Sequence, residues 1–85
     1  MFVTVIHTIT APEEFWSAAQ LAPIPDGVRL HVTWPDARGT RAVCLWEAED
    51  MDAVRNVVEG AVGEHSTNEY FAVQQDNAMG LPAAG

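Results

Sequence analysis

The stretch VRLHVTWPDARGTRAVCLWEA, residues 28–48, predicts a β-hairpin and decides the fold. Residues 28–35 alternate between apolar and polar side chains, which is typical of a strand with one buried face. The segment PDARG at 35–39 has the composition of a turn. Residues 41–48 are therefore expected to return as the antiparallel partner of the first strand.

The segment before the hairpin predicts a strand followed by a helix. FVTVIHTI at 2–9 is rich in β-branched residues, which favour strands. Thr10 and Glu13 have the spacing of a capping box, with Thr10 as the N-cap of the helix. Pro23 and Pro25 are expected to end this helix, because proline cannot continue it.

The segment after the hairpin predicts a second helix and a fourth strand. Asp50 is a suitable N-cap, and the apolar side chains that follow it recur at helical spacing. Residues 64–68 are polar and predict a loop, and EYFAVQQ at 69–75 predicts a strand. We therefore expect a single domain over residues 1–75 and a C-terminal tail over residues 76–85.

The element order βαββαβ predicts an α+β, ferredoxin-like fold, in which two helices pack on one face of an antiparallel four-stranded sheet. The expected spatial order of the strands is 4-1-3-2. In the first strand, His7 is expected on the helix-facing side. In the second strand, Arg29, His31 and Thr33 are expected on the opposite, open face. The alternation leaves the faces of the third and fourth strands undecided.

The open face of the sheet predicts a homodimer. Two helices cover only one face, and the other mixes apolar and polar groups that a second copy of the chain would shield from water. A chain of 85 residues also has a limited core of its own. Met79 and Leu81 lead us to expect that the tail folds over the partner subunit.

Composition narrows the classes of partner. The net charge is −8 and the chain has no lysine, so nucleic acid and anionic lipid surfaces are not expected as partners. No apolar run approaches the length of a membrane span. The N-terminal segment lacks a basic region and a cleavage site, so we expect a cytoplasmic protein. The single cysteine, Cys44, excludes an intrachain disulfide.

The element order, the length and three segments resemble the dimeric α/β-barrel superfamily. The segments are FVTVIHTI, RAVCLWEAEDMDAV and NEYFAV, and in style they are most similar to small bacterial nickel-binding proteins of that superfamily. The resemblance covers residues 1–75 and implies a homodimer whose two sheets form a barrel, with pockets beside the helices or at the dimer seam. It transfers no catalytic residue, because branches such as the antibiotic-biosynthesis monooxygenases and the stress-responsive barrel proteins share none.

The three histidines, His7, His31 and His65, are the candidate metal ligands. Nickel or another divalent transition metal is the expected ion, in line with the resemblance. His65 lies in the predicted loop near Glu64 and Glu69, where a surface cation site is chemically reasonable. No ligand spacing such as HExxH is present, and a structural or surface role is the alternative for each histidine.

Aromatic and polar side chains of the strands are candidates to line a pocket for a small molecule. The expected set is Arg29, His31, Trp34, Trp46 and Tyr70. For the tryptophans the alternative is a place in the core or the dimer interface. Cys44 is expected to be a buried small hydrophobe, because no sequence signature pairs its thiol with a base.

These observations support functions of different classes. The first is a small dimeric binding protein for a metal ion or a small ligand. The alternative is a cofactor-independent monooxygenase, cyclase or isomerase that acts on an aromatic or polyketide-like substrate. A dimeric accessory protein without a ligand is the third. The sequence has no glycine-rich phosphate loop and no GxSxG elbow, so nucleotide-dependent and hydrolase chemistries have no support from motifs.

Overall fold

The computed structural model describes residues 1–84 and has the predicted βαββαβ order. All strand pairs are antiparallel, and the sheet order β2-β3-β1-β4 confirms the predicted arrangement. The elements are β1 (Phe2–Ile9), α1 (Pro12–Leu21), β2 (Arg29–Pro35), β3 (Arg41–Glu47), α2 (Met51–Val62) and β4 (Ser66–Ala72).

The hydrophobic core lies between the two helices and one face of the sheet. Val3 and Val5 from β1 and Val54 from α2 are fully buried there, and Phe15 is the buried residue of α1. The Cα atoms extend over 35 × 27 × 17 Å. The chain is therefore a slab of two layers, with both helices on one face of the sheet. On the other face Phe2 is 3% exposed, whereas Val43 is 40% exposed.

The two central strands, β1 and β3, both point buried side chains toward the helices. The side chains of Val3, Val5 and His7 point toward the helices, as the sequence predicts, and all are buried. In β3 the helix-facing side chains are Ala42, Cys44 and Trp46, which are buried in the same core. The structure thus decides the face of β3, which the alternation of the sequence leaves open.

A β-bulge in β2 changes the predicted faces of its second half. Leu30 pairs with Trp46, but the next paired residue is Val32, opposite Leu45, so His31 is an extra residue in the ladder. The prediction that Thr33 lies on the open face is therefore wrong, because Thr33 pairs with Cys44 on the helix side. The alternation predicts Val32 on the helix side with Leu30, but the bulge places it on the open face, opposite Leu45.

The two helices begin in different ways. The capping box predicted for Thr10 and Glu13 is wrong, because Ala11 is the N-cap of α1 and no side chain caps that helix. The backbone N–H of Thr10 instead donates to the carbonyl of His65 at 2.9 Å, which holds Thr10 outside the helix. For α2 the prediction is confirmed, since Asp50 Oδ1 accepts a hydrogen bond from the N–H of Ala53 at 2.8 Å.

Strand β4 begins at Ser66, earlier than the predicted start at Glu69. A tight turn after α2 brings the chain back at once, with the N–H of His65 donating to the carbonyl of Val62 at 2.9 Å. In the tail, Met79 is 96% exposed. Gly85, the last residue of the predicted tail, lies outside the described residues. No helix within residues 1–84 is long and apolar enough to cross a membrane.

Candidate functional site

The three predicted metal ligands lie in three separate places. His7 is buried on the helix face of β1, whereas His31 lies at the bulge of β2 and His65 in the turn before β4. The imidazole of His31 pairs with Glu47, with Nε2 and Oε1 2.9 Å apart, and its ring lies 5.6 Å from that of Phe2. Residues 1–84 contain no group of three or more His, Cys, Asp or Glu side chains able to hold one metal ion.

The five predicted pocket residues are also divided between the two faces of the sheet. Arg29, His31 and Trp34 belong to β2, where register places Arg29 opposite Glu47 and Trp34 opposite Val43 on the open face. Trp46 faces the helices and is buried. Tyr70 of β4 lies on the helix side as well, at its margin, where its hydroxyl donates to Glu59 of α2 and the guanidinium of Arg55 lies 5.0 Å from its ring centre.

A cavity of about 70 Å³ lies between α1, α2 and the helix face of β2 and β3. Phe15, Ala19 and Val58 form part of its wall, and Leu30 and Trp46 line the sheet side. No Asp, Glu, Lys or Arg belongs to the described lining. The cavity is thus suited to a small uncharged molecule with an apolar body.

Polar residues in the lining of this cavity show two features, and the first is the buried indole N–H of Trp46. Trp46 is 6% exposed, and its Nε1–H has no hydrogen-bond partner among residues 1–84. A buried donor without an acceptor costs about 1–3 kcal/mol. The indole of Trp16, which also lines the cavity, is satisfied because its Nε1–H donates to the carbonyl of Gly39 at 3.0 Å.

The second polar feature is a pair formed by His7 and Cys44. The Nε2 atom of His7 lies 3.2 Å from Cys44 Sγ, and both residues line the cavity. The hydroxyl of Thr33 lies 3.5 Å from the same sulfur, a contact that the bulge in β2 makes possible. The ring of Phe15 from α1 meets the imidazole edge-on at 5.2 Å between centres.

The other nitrogen of His7 is held by β4. Nδ1 lies 2.6 Å from Asn68 Oδ1, and the two residues are directly paired in the β1–β4 ladder. The amide nitrogen of Asn68 donates to Glu59 Oε2 at 2.9 Å, so its oxygen is the atom that faces His7. The hydroxyl of Ser66 donates to the same amide oxygen at 2.9 Å.

Burial sets the charge of this pair. Desolvation lowers the pKa of His7 below its ordinary value, although the hydrogen bond to Asn68 and the charge of Glu59 act in the opposite direction. Burial raises the pKa of the Cys44 thiol, with the Thr33 hydroxyl opposing it. At neutral pH the pair is therefore an uncharged thiol beside an uncharged imidazole.

Sequence reasoning missed the connection between His7, Cys44 and Asn68. His7 was correctly expected on the helix face, but the pairing with Cys44 depends on the face of β3, where both alternating sets contain apolar residues. Asn68 belongs to the polar segment predicted as a loop. The sequence feature that could have indicated a strand here is the run of small polar residues STN at 66–68. Such a run can form a strand when neighbouring groups provide hydrogen-bond partners for its side chains.

No family model matches the chain, and neither the curated proteins nor the solved structures that were searched provide a match. The fold is ferredoxin-like by its own topology. Function must therefore be argued from the site.

Proposed function

We propose that the protein is a small dimeric binding protein that holds a small, uncharged, largely apolar ligand in the cavity between α1 and the sheet. The observation that carries the proposal is Trp46, which lines this cavity and whose indole N–H is buried without a partner among residues 1–84. A ligand with one hydrogen-bond acceptor, such as a carbonyl oxygen, satisfies that donor. Its apolar remainder matches the wall formed by Phe15, Leu30 and Val58.

A small organic ligand fits these observations better than a metal ion. The predicted ligands His7, His31 and His65 do not converge, and the cavity has no carboxylate in its described lining. The nickel site implied by the resemblance would need at least two further ligands beside His7 and Cys44. Of the two expected kinds of ligand, a metal ion or a small molecule, we therefore propose the small molecule.

A second copy of the chain is the partner we propose for the open face of the sheet. Trp34 is 68% exposed there, and Val43, its cross-strand neighbour, is 40% exposed. Phe71, near the end of β4, is 45% exposed. Large apolar groups on one sheet face favour a symmetric sheet-to-sheet contact. We propose the cytoplasm as the location of the protein.

A cofactor-independent enzyme remains the second candidate function. The observation that favours it is the uncharged imidazole of His7 at the cavity, since such a group can act as a general base. The sequence-based version of this hypothesis used His31, Trp34 and Tyr70. Of the expected pocket residues only Trp46 lines this cavity, so His7 takes the place of His31 as the candidate base.

Calorimetric titration with a matched pair of ligands tests the binding proposal. Methyl butyl ketone offers a carbonyl oxygen, and the hydrocarbon in which a methylene group replaces that oxygen has nearly the same shape. We expect the ketone to bind about tenfold more tightly, the equivalent of about 1.4 kcal/mol, because it satisfies the indole donor. Trp46→Phe should abolish this preference, whereas Trp34→Phe on the open face should retain it. Failure of the wild type to bind either ligand would refute the proposal.

A further inference from the structure

We propose that Cys44, His7 and Asn68 form a nucleophilic centre in which the Cys44 thiol takes up an acyl group from a small apolar ester or thioester. This inference rests on the proposed function, because the acyl chain would occupy the same cavity between α1 and the sheet. Cys44 is the nucleophile, His7 the base, and Asn68 the positioning residue that orients the base.

The contact between Cys44 and His7 has the geometry of a nucleophile beside its base. The sulfur lies 3.2 Å from His7 Nε2, within hydrogen-bond reach for a thiol. Both side chains project from adjacent strands, β3 and β1, toward the helices. Both strands are central in the sheet, so the pair is positioned by regular secondary structure rather than by loops.

Asn68 determines which nitrogen of the imidazole is free to accept a proton. Its amide nitrogen donates to the carboxylate of Glu59, so its oxygen must accept the proton of His7 Nδ1–H. The single hydroxyl proton of Ser66 is within reach of that oxygen at 2.9 Å and of the carbonyl of Val62 at 3.0 Å. The lone pair of Nε2 therefore faces the thiol, as a general base requires.

The groups around His7 leave it uncharged. The α1 side presents the ring of Phe15, β3 the thiol of Cys44, and β4 the amide of Asn68. Glu59 on α2 is the charged group that acts on the imidazole, and its negative charge favours the protonated form. The effect of burial, which disfavours that form, is larger, so the pKa of His7 is lowered. The reaction thus begins from a thiol that transfers its proton during attack rather than from a preformed ion pair.

The unpartnered N–H of Trp46 supports the proposal independently of the contact between Cys44 and His7. Trp46 follows Cys44 by two residues on the same face of β3 and lines the cavity, and its N–H is buried without a partner among the described residues. The oxygen of a carbonyl attacked by a thiol gains negative charge. An N–H donor that is already desolvated is suited to stabilise that charge.

The step balances without an oxidant or reductant. Cys44 Sγ attacks the carbonyl carbon while the thiol proton passes to His7 Nε2, and the carbonyl π electrons move onto the oxygen. When this electron pair returns to re-form the carbonyl, the bond between the carbonyl carbon and the leaving oxygen or sulfur breaks. The leaving group takes the electron pair of that bond. The leaving group receives the proton from His7 Nε2, and the product is a thioester on Cys44.

The reaction of wild-type protein with para-nitrophenyl butyrate tests the proposal. Release of nitrophenolate measures the rate, and peptide mass mapping locates the acyl group. We expect one butyryl group, on Cys44, and a rate that is constant with pH above the ordinary histidine pKa of about 6.5. His7→Gln should slow acylation by about a hundredfold and make it rise with pH as the thiol itself ionises. His65→Gln, in the turn before β4, should match the wild type.

The Asn68→Ala variant tests whether Asn68 positions the His7 base or only stabilises the fold. It should lower the rate and shift the acidic limb of the pH profile to lower pH, because the hydrogen bond that raises the pKa of His7 is lost. Circular dichroism establishes whether each variant folds. The pH profile of the wild type tests the proposal even if a variant does not fold. An unmodified Cys44 in wild type, or an unchanged rate and profile in His7→Gln, would overturn the proposal. If the ketone still binds, only this inference falls; if it does not, the proposed function falls as well.

Discussion

Replacing Asn68 with alanine is expected to destabilise the fold by about 2 kcal/mol, because it leaves a buried donor without an acceptor. Asn68 connects three groups: His7 Nδ1 at 2.6 Å, the Ser66 hydroxyl at 2.9 Å and Glu59 Oε2 at 2.9 Å. Two of them keep a partner when the amide is removed. Ser66 retains the carbonyl of Val62 at 3.0 Å, and Glu59 retains the hydroxyl of Tyr70.

The Nδ1–H of His7 is the group left without a hydrogen-bond partner when the Asn68 amide is removed. His7 is 3% exposed, so water does not readily replace the amide oxygen, and an unsatisfied buried donor costs about 1–3 kcal/mol. For a domain of this size, about 2 kcal/mol corresponds to a decrease in Tm of roughly 10 °C. The cost should be larger at pH 5 than at pH 7.5, because Asn68 stabilises the protonated imidazole and raises its pKa.

Chemical unfolding at fixed protomer concentration, at both pH values, measures these differences. Asn77→Ala is the matched control, since Asn77 is exposed and its side-chain amide donates to the exposed side chain of Gln74 at 2.7 Å. Its effect should stay within about 0.5 kcal/mol. An Asn68→Ala variant as stable as this control would refute the argument that Asn68 satisfies a buried imidazole.

Three further outcomes are expected. Asp50→Ala should cost about 1 kcal/mol in urea unfolding through loss of the α2 N-cap, whereas Asp52→Ala, which removes an exposed ion pair with Arg55, should cost less than about 0.5 kcal/mol. In the proposed dimer, Trp34, which is 68% exposed in the single chain, would bury roughly 140 Å² per protomer, worth about 3.5 kcal/mol. Light scattering should therefore find that the wild type is a dimer, that Trp34→Glu is a monomer, and that Leu21→Glu, changed on α1, is still a dimer. Because the pKa of buried His7 is lowered, the unfolded chain binds its proton more readily, and the free energy of unfolding should fall as the pH drops below about 6.5; in His7→Gln this part of the decrease should vanish.

The sequence predicted the framework of the fold because its strongest patterns are local. The β-branched run of β1, the turn at 35–39 and the Asp50 cap each act within a few residues, and together they specify the βαββαβ order. The bulge at His31 has no comparable signal, since β2 alternates regularly through it. A single extra residue there exchanges the faces of Val32 and Thr33.

The candidate site was less predictable because it depends on pairing between distant strands. His7, Cys44 and Asn68 come from β1, β3 and β4, and they meet only when the face of β3 and the start of β4 are known. Small polar residues such as Ser66 and Asn68 favour loops by propensity. In this fold their hydrogen bonds to Val62 and His7 compensate for that preference.

The resonance of the Trp46 indole N–H tests the central claim most directly. In a nitrogen–proton correlation spectrum, titration with methyl butyl ketone should move this signal downfield, as its proton enters a hydrogen bond, while the exposed indole of Trp34 stays in place. The hydrocarbon of the same shape should not produce the downfield change. An unmoved Trp46 signal, or an equal shift with both ligands, would contradict the assignment of this cavity as the binding site for a carbonyl ligand.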